Sequence, residues 1–196
     1  MIRLSDEAQD LLFREARTAN NFTGEPVDDE LMRAVYELVK FPPTAMNAQP
    51  LRIVLARSPE ARERLVIHMA EGNKAKTAAA PLVAILAADL DFHHELPRTF
   101  PIAPGAQDRF AADEARRVAT ARFNAALQIG YFIVGVRAAG LAAGPMTGFD
   151  AEALSKEFFP DGDHAVLAVV NLGRPGENAW FERQPRLDYD EVVTTL

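Results

Sequence analysis

The sequence predicts an α+β domain in which a sheet lies between helical layers. Two observations predict the class. Short apolar runs at 52–56, 82–87 and 166–170 have strand length, and longer segments with apolar residues at helical spacing alternate with them. A third observation bounds the organisation: no sequence period recurs and no low-complexity linker divides the chain. A length of 196 residues suits a single core, so residues 1–196 read as one domain.

Residues 5–16 read as a helix, with Ser5 placed to cap it and Ala8, Leu11, Leu12 and Ala16 on one face. An irregular segment follows, and Asp28 is placed to cap a second helix through residue 40. Its inward face carries Leu31, Val35, Leu38 and Val39, and Pro42 and Pro43 stop it. Arg52-Ile53-Val54-Leu55-Ala56 is a strand. Ser58-Pro59-Glu60 opens a further helix, with proline at its first position. Leu82-Val83-Ala84-Ile85-Leu86-Ala87 reads as a buried strand.

Residues 90–110 are rich in proline and glycine and read as a loop or lid over a site. One long helix then spans 111–139. Its first half is charged, and its second half, 125–136, is apolar on nearly all sides. A helix apolar all round must be buried. In so small a domain that points to burial against a second copy. Gly140 ends this helix, Asp150 caps a short one through Phe158, and Val166-Leu167-Ala168-Val169-Val170 is another buried strand. The polar tail at 175–196 carries Trp180, Phe181 and Leu187, and is expected to pack on the partner subunit.

Composition excludes several functions. The formal net charge is −7 and no run of Lys and Arg forms a basic face, so nucleic acid is not an expected partner. There is no cysteine, which removes disulfides, thiolate catalysis and Cys-ligated metal. The first thirteen residues mix charges with apolar residues and do not read as a signal peptide. The longest apolar stretch, near 78–88, is too short to span a bilayer. A cytoplasmic protein without membrane partners is the expectation. No phosphate-binding P-loop, dinucleotide G-x-G-x-x-G or G-x-S-x-G elbow is present. His93-His94-Glu95 suggests metal ligands at first sight. Adjacent histidines do not share a helix or strand face, so a solvated loop is the plainer reading and no metal is expected.

Five polar segments remain. Arg17-Thr18-Ala19-Asn20 follows a helix, where an arginine and a hydroxyl could hold a phosphate or simply cap the helix end. Pro43-Thr44-Ala45-Met46-Asn47-Ala48-Gln49-Pro50 is a stiff loop whose amides could read a heterocycle edge or just make a turn. Asn73 and Lys76 share one face of a helical turn, where a solvated lysine is the ordinary reading. Gly144-Pro145-Met146-Thr147-Gly148-Phe149-Asp150 allows close backbone approach, or is a tight turn into a helix. Arg183-Gln184-Pro185-Arg186 could clamp an anion or be surface charge.

Taken in order, these segments resemble the nitroreductase family. Arg17 to Phe22 matches its R-S-x-R-x-F element, Pro43 to Pro50 its P-S-S-x-N-x-Q-P element, and Asn73 to Lys76 its N-x-x-K ahead of an Ala80-Pro81 strand start. Pro145 to Phe149 matches P-x-x-G-F, and Gly173 with Arg186 resembles its closing G…R element. Thr147 to Asp150 and Arg183 to Leu187 are most similar to the small reductases assigned to malonic semialdehyde.

The resemblance implies a nitroreductase-like fold: a central mixed sheet flanked by helices, in an intertwined homodimer with FMN at its interface. It implies ping-pong hydride transfer from NADH or NADPH to a small acceptor. That acceptor would be malonic semialdehyde, giving 3-hydroxypropanoate, or a broad range of nitroaromatics and quinones. A non-catalytic flavin-binding protein is the remaining alternative. Arg17, Thr18 and Arg186 would grip the phosphate. Asn73 and Lys76 would face the flavin pyrimidine, with Lys76 electrostatic in role. Thr147 and Gly148 would lie near N5, and Thr44, Ala45 and Asn47 would come from the partner subunit. Two positions depart from the pattern. Asn20 replaces the second basic residue, and Leu51 replaces the aromatic after Gln49-Pro50. Little acid–base machinery is required, because the cofactor carries the hydride, and no catalytic residue is singled out beyond the electrostatic Lys76.

Overall fold

The computed structural model describes residues 2–196. Helix α1 (Asp6–Gln9) opens on Ser5, whose Oγ accepts from Ala8 N at 3.2 Å, and runs into a π-helical turn at Asp10–Arg14. Helix α2 (Asp29–Val39) follows, and then a 3₁₀ turn, Ala45–Asn47. Strand β1 (Leu51–Ala56) leads through α3 (Pro59–Ile67) and α4 (Glu71–Ala79) to β2 (Leu82–Asp89). The Ser58 hydroxyl caps α3 through Ala61 N at 3.2 Å, with Pro59 where its missing N–H costs nothing.

Three short helical pieces come next: a 3₁₀ turn at Phe92–Glu95, α5 (Leu96–Thr99) and α6 (Ala106–Ala111). The expected loop at 90–110 is therefore largely helical. Phe92, Leu96, Ala106 and Phe110 supply the reason: they bury a small core of their own with Ala48, Ala121 and Ala125. Proline and glycine bound these pieces, which hides their periodicity.

Helix α7 (Glu114–Ala138) starts later than residue 111 because Asp113 caps it, accepting from Arg116 N at 3.0 Å. It ends at Gly140, whose φ of 72° suits glycine. Then come β3 (Ala142–Met146), α8 (Ala151–Phe158), β4 (His164–Gly173) and a last turn, α9 (Tyr189–Val192). Asp150 caps α8 through Ala153 N at 3.0 Å. Strand β3 takes up Gly144, Pro145 and Met146, the start of a segment expected to allow close backbone approach or to make a tight turn into a helix. It survives because it is an edge strand, where proline need not donate on its outer side.

The strands form one sheet in the order β1-β2-β4-β3, and all three pairings are antiparallel. This corrects the expected mixed sheet for the pairings one chain makes. Two helices separate β1 from β2, so the chain crosses and returns before pairing. Strand β2 is buried along its whole length because both faces are covered. Leu82, Ala84 and Leu86 pack beneath α2 and α7 with Val35, Phe132 and Val136. Val83, Ile85 and Ala87 pack on the other side with Leu65 of α3 and Leu154 of α8. Among the described residues, no helix is long and apolar enough to cross a membrane.

Candidate functional site

Strand β3 organises the candidate site, with a polar cluster at each end. At its start, Ala19 N donates to Ala143 O at 3.1 Å, so the 17–20 segment runs alongside the strand. A Cβ on Gly144 would stand 2.6 Å from Ala19 O, which shows how closely the two backbones approach. Asn20 N donates to Ala179 O at 2.9 Å, and the Asn20 amide reaches Thr18 O at 3.3 Å. Thr18 is exposed and carries no side-chain hydrogen bond among the described residues.

Arg17 is half-buried against the Trp180 ring, with its guanidinium carbon 5.7 Å from the ring centroid. It pairs with Glu15 at 3.4 Å, and its buried Nε has no partner. Arg183 lies against the same segment, donating to Ala16 O at 3.3 Å and to Arg14 O. Two arginines and a hydroxyl thus meet beside β3, a donor set suited to an anion. Arg186 is not part of this group. It is exposed and donates only to Gln184 O and Pro185 O of its own tail. Sequence reasoning weighed both tail arginines and settled on Arg186; only packing distinguishes Arg183.

At the far end of β3, Asn73 donates its side-chain amide to Gly148 O at 3.0 Å, and Ala70 N donates to the same oxygen at 2.9 Å. A Cβ at Gly148 would stand 2.6 Å from the Asn73 amide nitrogen. Phe149 bridges to Met69, and Asp150 N donates to His68 O at 2.9 Å, so the turn after β3 is fastened to the start of α4. Thr147 is exposed beside it. Lys76, one helical turn on from Asn73, is half-buried and forms no ion pair among the described residues. Below them, Thr77 and Asn171 are fully buried, and Asn171 Nδ2 lies 3.5 Å from Thr77 Oγ1.

The Pro43–Pro50 loop makes its hydrogen bonds to α7 and to the end of α5. Ala45 N donates to Asn124 Oδ1 at 2.7 Å, Asn47 Nδ2 to Thr99 O at 2.8 Å, and Gln49 N to Thr44 Oγ1 at 3.3 Å. Met46, Asn47 and Gln49 all have positive φ, between 44° and 53°. Non-glycine residues hold this conformation at a cost of roughly 1–3 kcal/mol each, which surrounding bonds must offset. Asn124 and Gln128 of α7 provide them, the latter accepting from Leu51 N at 2.9 Å. Their spacing of four, at the start of the apolar half of α7, was the available sequence signal. No hydrogen bond joins Thr44, Ala45 or Asn47 to Asn73 or Gly148 among the described residues.

A stripe on the outer face of α7 bears on this separation. Phe123, Leu127 and Tyr131 follow one another at intervals of four and are exposed, at 67%, 42% and 49%.

The nitroreductase family model matches residues 13–174, which include β3, Arg17, Thr18, Asn73, Lys76, Gly148 and the amide loop but not Trp180 or Arg183. The chain belongs to the nitroreductase family. A nitroreductase-family relative from Streptomyces coelicolor, provisionally named an NADH dehydrogenase/NAD(P)H nitroreductase, is 67% identical over 193 residues, 98% of either chain. The fold also matches a nitroreductase-type structure from Exiguobacterium sibiricum described in complex with FMN, at TM-score 0.82 and 15% identity over all of both chains. A third match is an NADPH:FMN oxidoreductase from Vibrio harveyi complexed with NAD+, at TM-score 0.73 and 17% identity. It covers 97% of this chain and 77% of that one. At such identities the two structures speak to the fold alone.

Proposed function

We propose that this nitroreductase-family chain is an FMN-dependent NAD(P)H oxidoreductase that works as a homodimer. The arrangement along β3 carries the reading, with an arginine-rich anion cluster at one end and an amide, an ammonium and an exposed turn at the other. The residues fit FMN on two counts. Arg17 has a buried, unpartnered Nε in a segment that also offers Thr18, with Arg183 of the tail bonded to the carbonyl of Ala16. Gly148 packs against the Asn73 side chain too closely for a Cβ, so a bare backbone is held beside that amide at the turn.

Arg17 and Thr18 would hold the phosphate, with Asn20 shaping their segment and Arg183 or Arg186 adding charge. Asn73 and Lys76 would face the pyrimidine edge, and Thr147 and Gly148 would line the ring. FMN, when bound, supplies the hydride-carrying ring that accepts from NADH or NADPH and delivers to the acceptor. Lys76 supplies a fixed positive charge where negative charge develops on reduction. The exposed Gly148 turn leaves one side of the site open to donor and acceptor in turn.

Thr44, Ala45 and Asn47 would enter from the partner subunit. The Phe123–Leu127–Tyr131 stripe gives the second copy a surface to cover. The tail offers another contact, because Phe181, Leu187, Tyr189 and Val192 are exposed on their own chain. A groove of about 770 Å³ between α2 and the free edge of β1, floored by Met32, Leu51, Ile53 and Phe132, has room for such a tail.

Malonic semialdehyde, reduced to 3-hydroxypropanoate, is the acceptor we favour, on the sequence resemblance of 147–150 and 183–187. Broad reduction of nitroaromatics and quinones is the second reading, favoured by the provisional names of the relatives. Anaerobic absorbance of the purified protein with FMN, before and after NADH and then NADPH, tests the proposal. Bleaching of the flavin bands supports the enzyme and identifies the donor. Bound flavin that stays oxidised with both nucleotides overturns it in favour of a non-catalytic flavin protein. Steady-state rates with malonic semialdehyde against nitroaromatics then decide the acceptor.

A further inference from the structure

A second polar cluster lies outside the β3 site, where β2 ends and the short helices begin. Asp91 stands at the head of the 3₁₀ turn Phe92–Glu95, which carries His93 and His94. Adjacent histidines diverge on an α-helix or a strand, but this turn keeps the two imidazoles together. Their ring centroids are 4.1 Å apart, tilted by 34°. One ligand atom from each of Asp91, His93 and His94 falls within 4.8 Å of the others.

His93 decides the reading. It is 3% exposed, so the expected solvated loop does not hold for it, and its Nδ1 is buried without a hydrogen-bond partner. That nitrogen lies 3.9 Å from the Asp91 carboxylate, too far for a hydrogen bond. A buried imidazole nitrogen left unbonded beside a carboxylate is costly unless something lies between them. Burial, followed by the nearby His94 and Arg117, holds the His93 pKa below its usual value.

We propose that Asp91, His93 and His94 bind a divalent transition-metal cation of the zinc class. Two imidazoles and one carboxylate are ligands that zinc accepts, with a further position open to water. Bonds of about 2.0–2.2 Å around a tetrahedral ion put ligand atoms about 3.3 Å apart, so the cluster must close slightly. Asp91 and His94 are not buried and have the freedom to do so. Arg117 is the competitor. Its Nε lies 3.4 Å from Asp91 Oδ1, the same oxygen that faces His93 Nδ1 at 3.9 Å, but it is also anchored to Leu90 O at 3.1 Å, so the ion has to share that oxygen or draw the carboxylate away from Arg117. Gln107 of α6, with its amide 3.3 Å from His94 Nδ1, steadies that ring from the far end of the excursion. A metal here would fasten the 91–107 excursion to the end of β2.

The test is calorimetric titration of the full chain with zinc chloride, paired with the visible spectrum on adding cobalt(II). One saturable site per chain is expected, with cobalt bands of tetrahedral intensity and a melting temperature that rises with zinc. His94→Ala and Asp91→Asn change only partly or fully exposed side chains, and each should weaken binding at least ~10-fold. Absence of saturable binding overturns the proposal. So does binding of unchanged strength in both variants, which would place the ion elsewhere.

Discussion

The Asn73 side chain and the Gly148 carbonyl, 75 residues apart in sequence, are joined by a 3.0 Å hydrogen bond that no larger residue at 148 would permit. The bond ties α4, which carries Lys76, to the turn that carries Thr147. Two halves of the candidate site thereby move as one body. The same carbonyl accepts from Ala70 N, so the peptide cannot rotate without losing two bonds.

Gly148→Ala should push the Asn73 amide away while leaving the fold intact, because the atom it meets is the end of a side chain. Loss of one net hydrogen bond costs about 0.5–1.5 kcal/mol of stability. FMN affinity, followed by flavin fluorescence, should fall roughly 10-fold, equivalent to about 1.4 kcal/mol. An unchanged affinity would remove Gly148 from the cofactor site.

Gly144→Ala meets a harder obstacle, the backbone oxygen of Ala19. A backbone cannot turn aside as a side chain does, so the 17–20 segment must shift. Overpacking of this kind costs typically 1–3 kcal/mol. Urea unfolding should show that loss, and phosphate-end contacts through Arg17 and Thr18 should weaken with it. A midpoint within error of the unsubstituted chain would show that the segment is not held against β3.

Legibility in sequence followed how local each signal was. Ser5, Ser58 and Asp150 cap their helices as read, because a cap needs only its own next three residues, whereas Asp28 stands at the start of α2 without a side-chain hydrogen bond to it. The buried runs of β2 and β4 were plain for the same reason. Strand β3 was not: around Gly144 and Pro145 close backbone approach and a turn into a helix were both open, and only pairing with Asn171 and Val170 of β4 makes them a strand. The helices within 92–111 were hidden because their burial is against Ala121 and Ala125, which follow later in the chain. In the site, residue types were legible and their grouping was not. Nothing in Arg183-Gln184-Pro185-Arg186 says which arginine turns back towards Ala16. Nor does His93-His94 announce that one ring is buried.

If Lys76 faces the flavin as proposed, Lys76→Met should lower the flavin midpoint potential, since the substitution removes a positive charge without removing bulk. If the charge favours the reduced form by about 1.4–3 kcal/mol, the shift is about 30–60 mV for a two-electron couple. Anaerobic spectroelectrochemistry reads it directly. A potential that does not move would place the ammonium away from the ring, whatever happened to the rate.

Leu127→Asp puts a charge at the centre of the exposed α7 stripe, between Phe123 and Tyr131. In the free chain the site is already solvated, so folding should be nearly unaffected and the circular dichroism unchanged. In a dimer packed through this face, the carboxylate would lose its water without gaining a partner, at a cost of several kcal/mol. Sedimentation velocity should then show a monomer where the unsubstituted chain gives a dimer. FMN retention should fall in parallel, because the strained loop bearing Thr44, Ala45 and Asn47 shares no hydrogen bond with the Asn73–Gly148 cluster of its own chain. A variant that stays dimeric would move the interface to another face. A monomer that keeps FMN at full affinity would mean that one chain supplies the whole cofactor site.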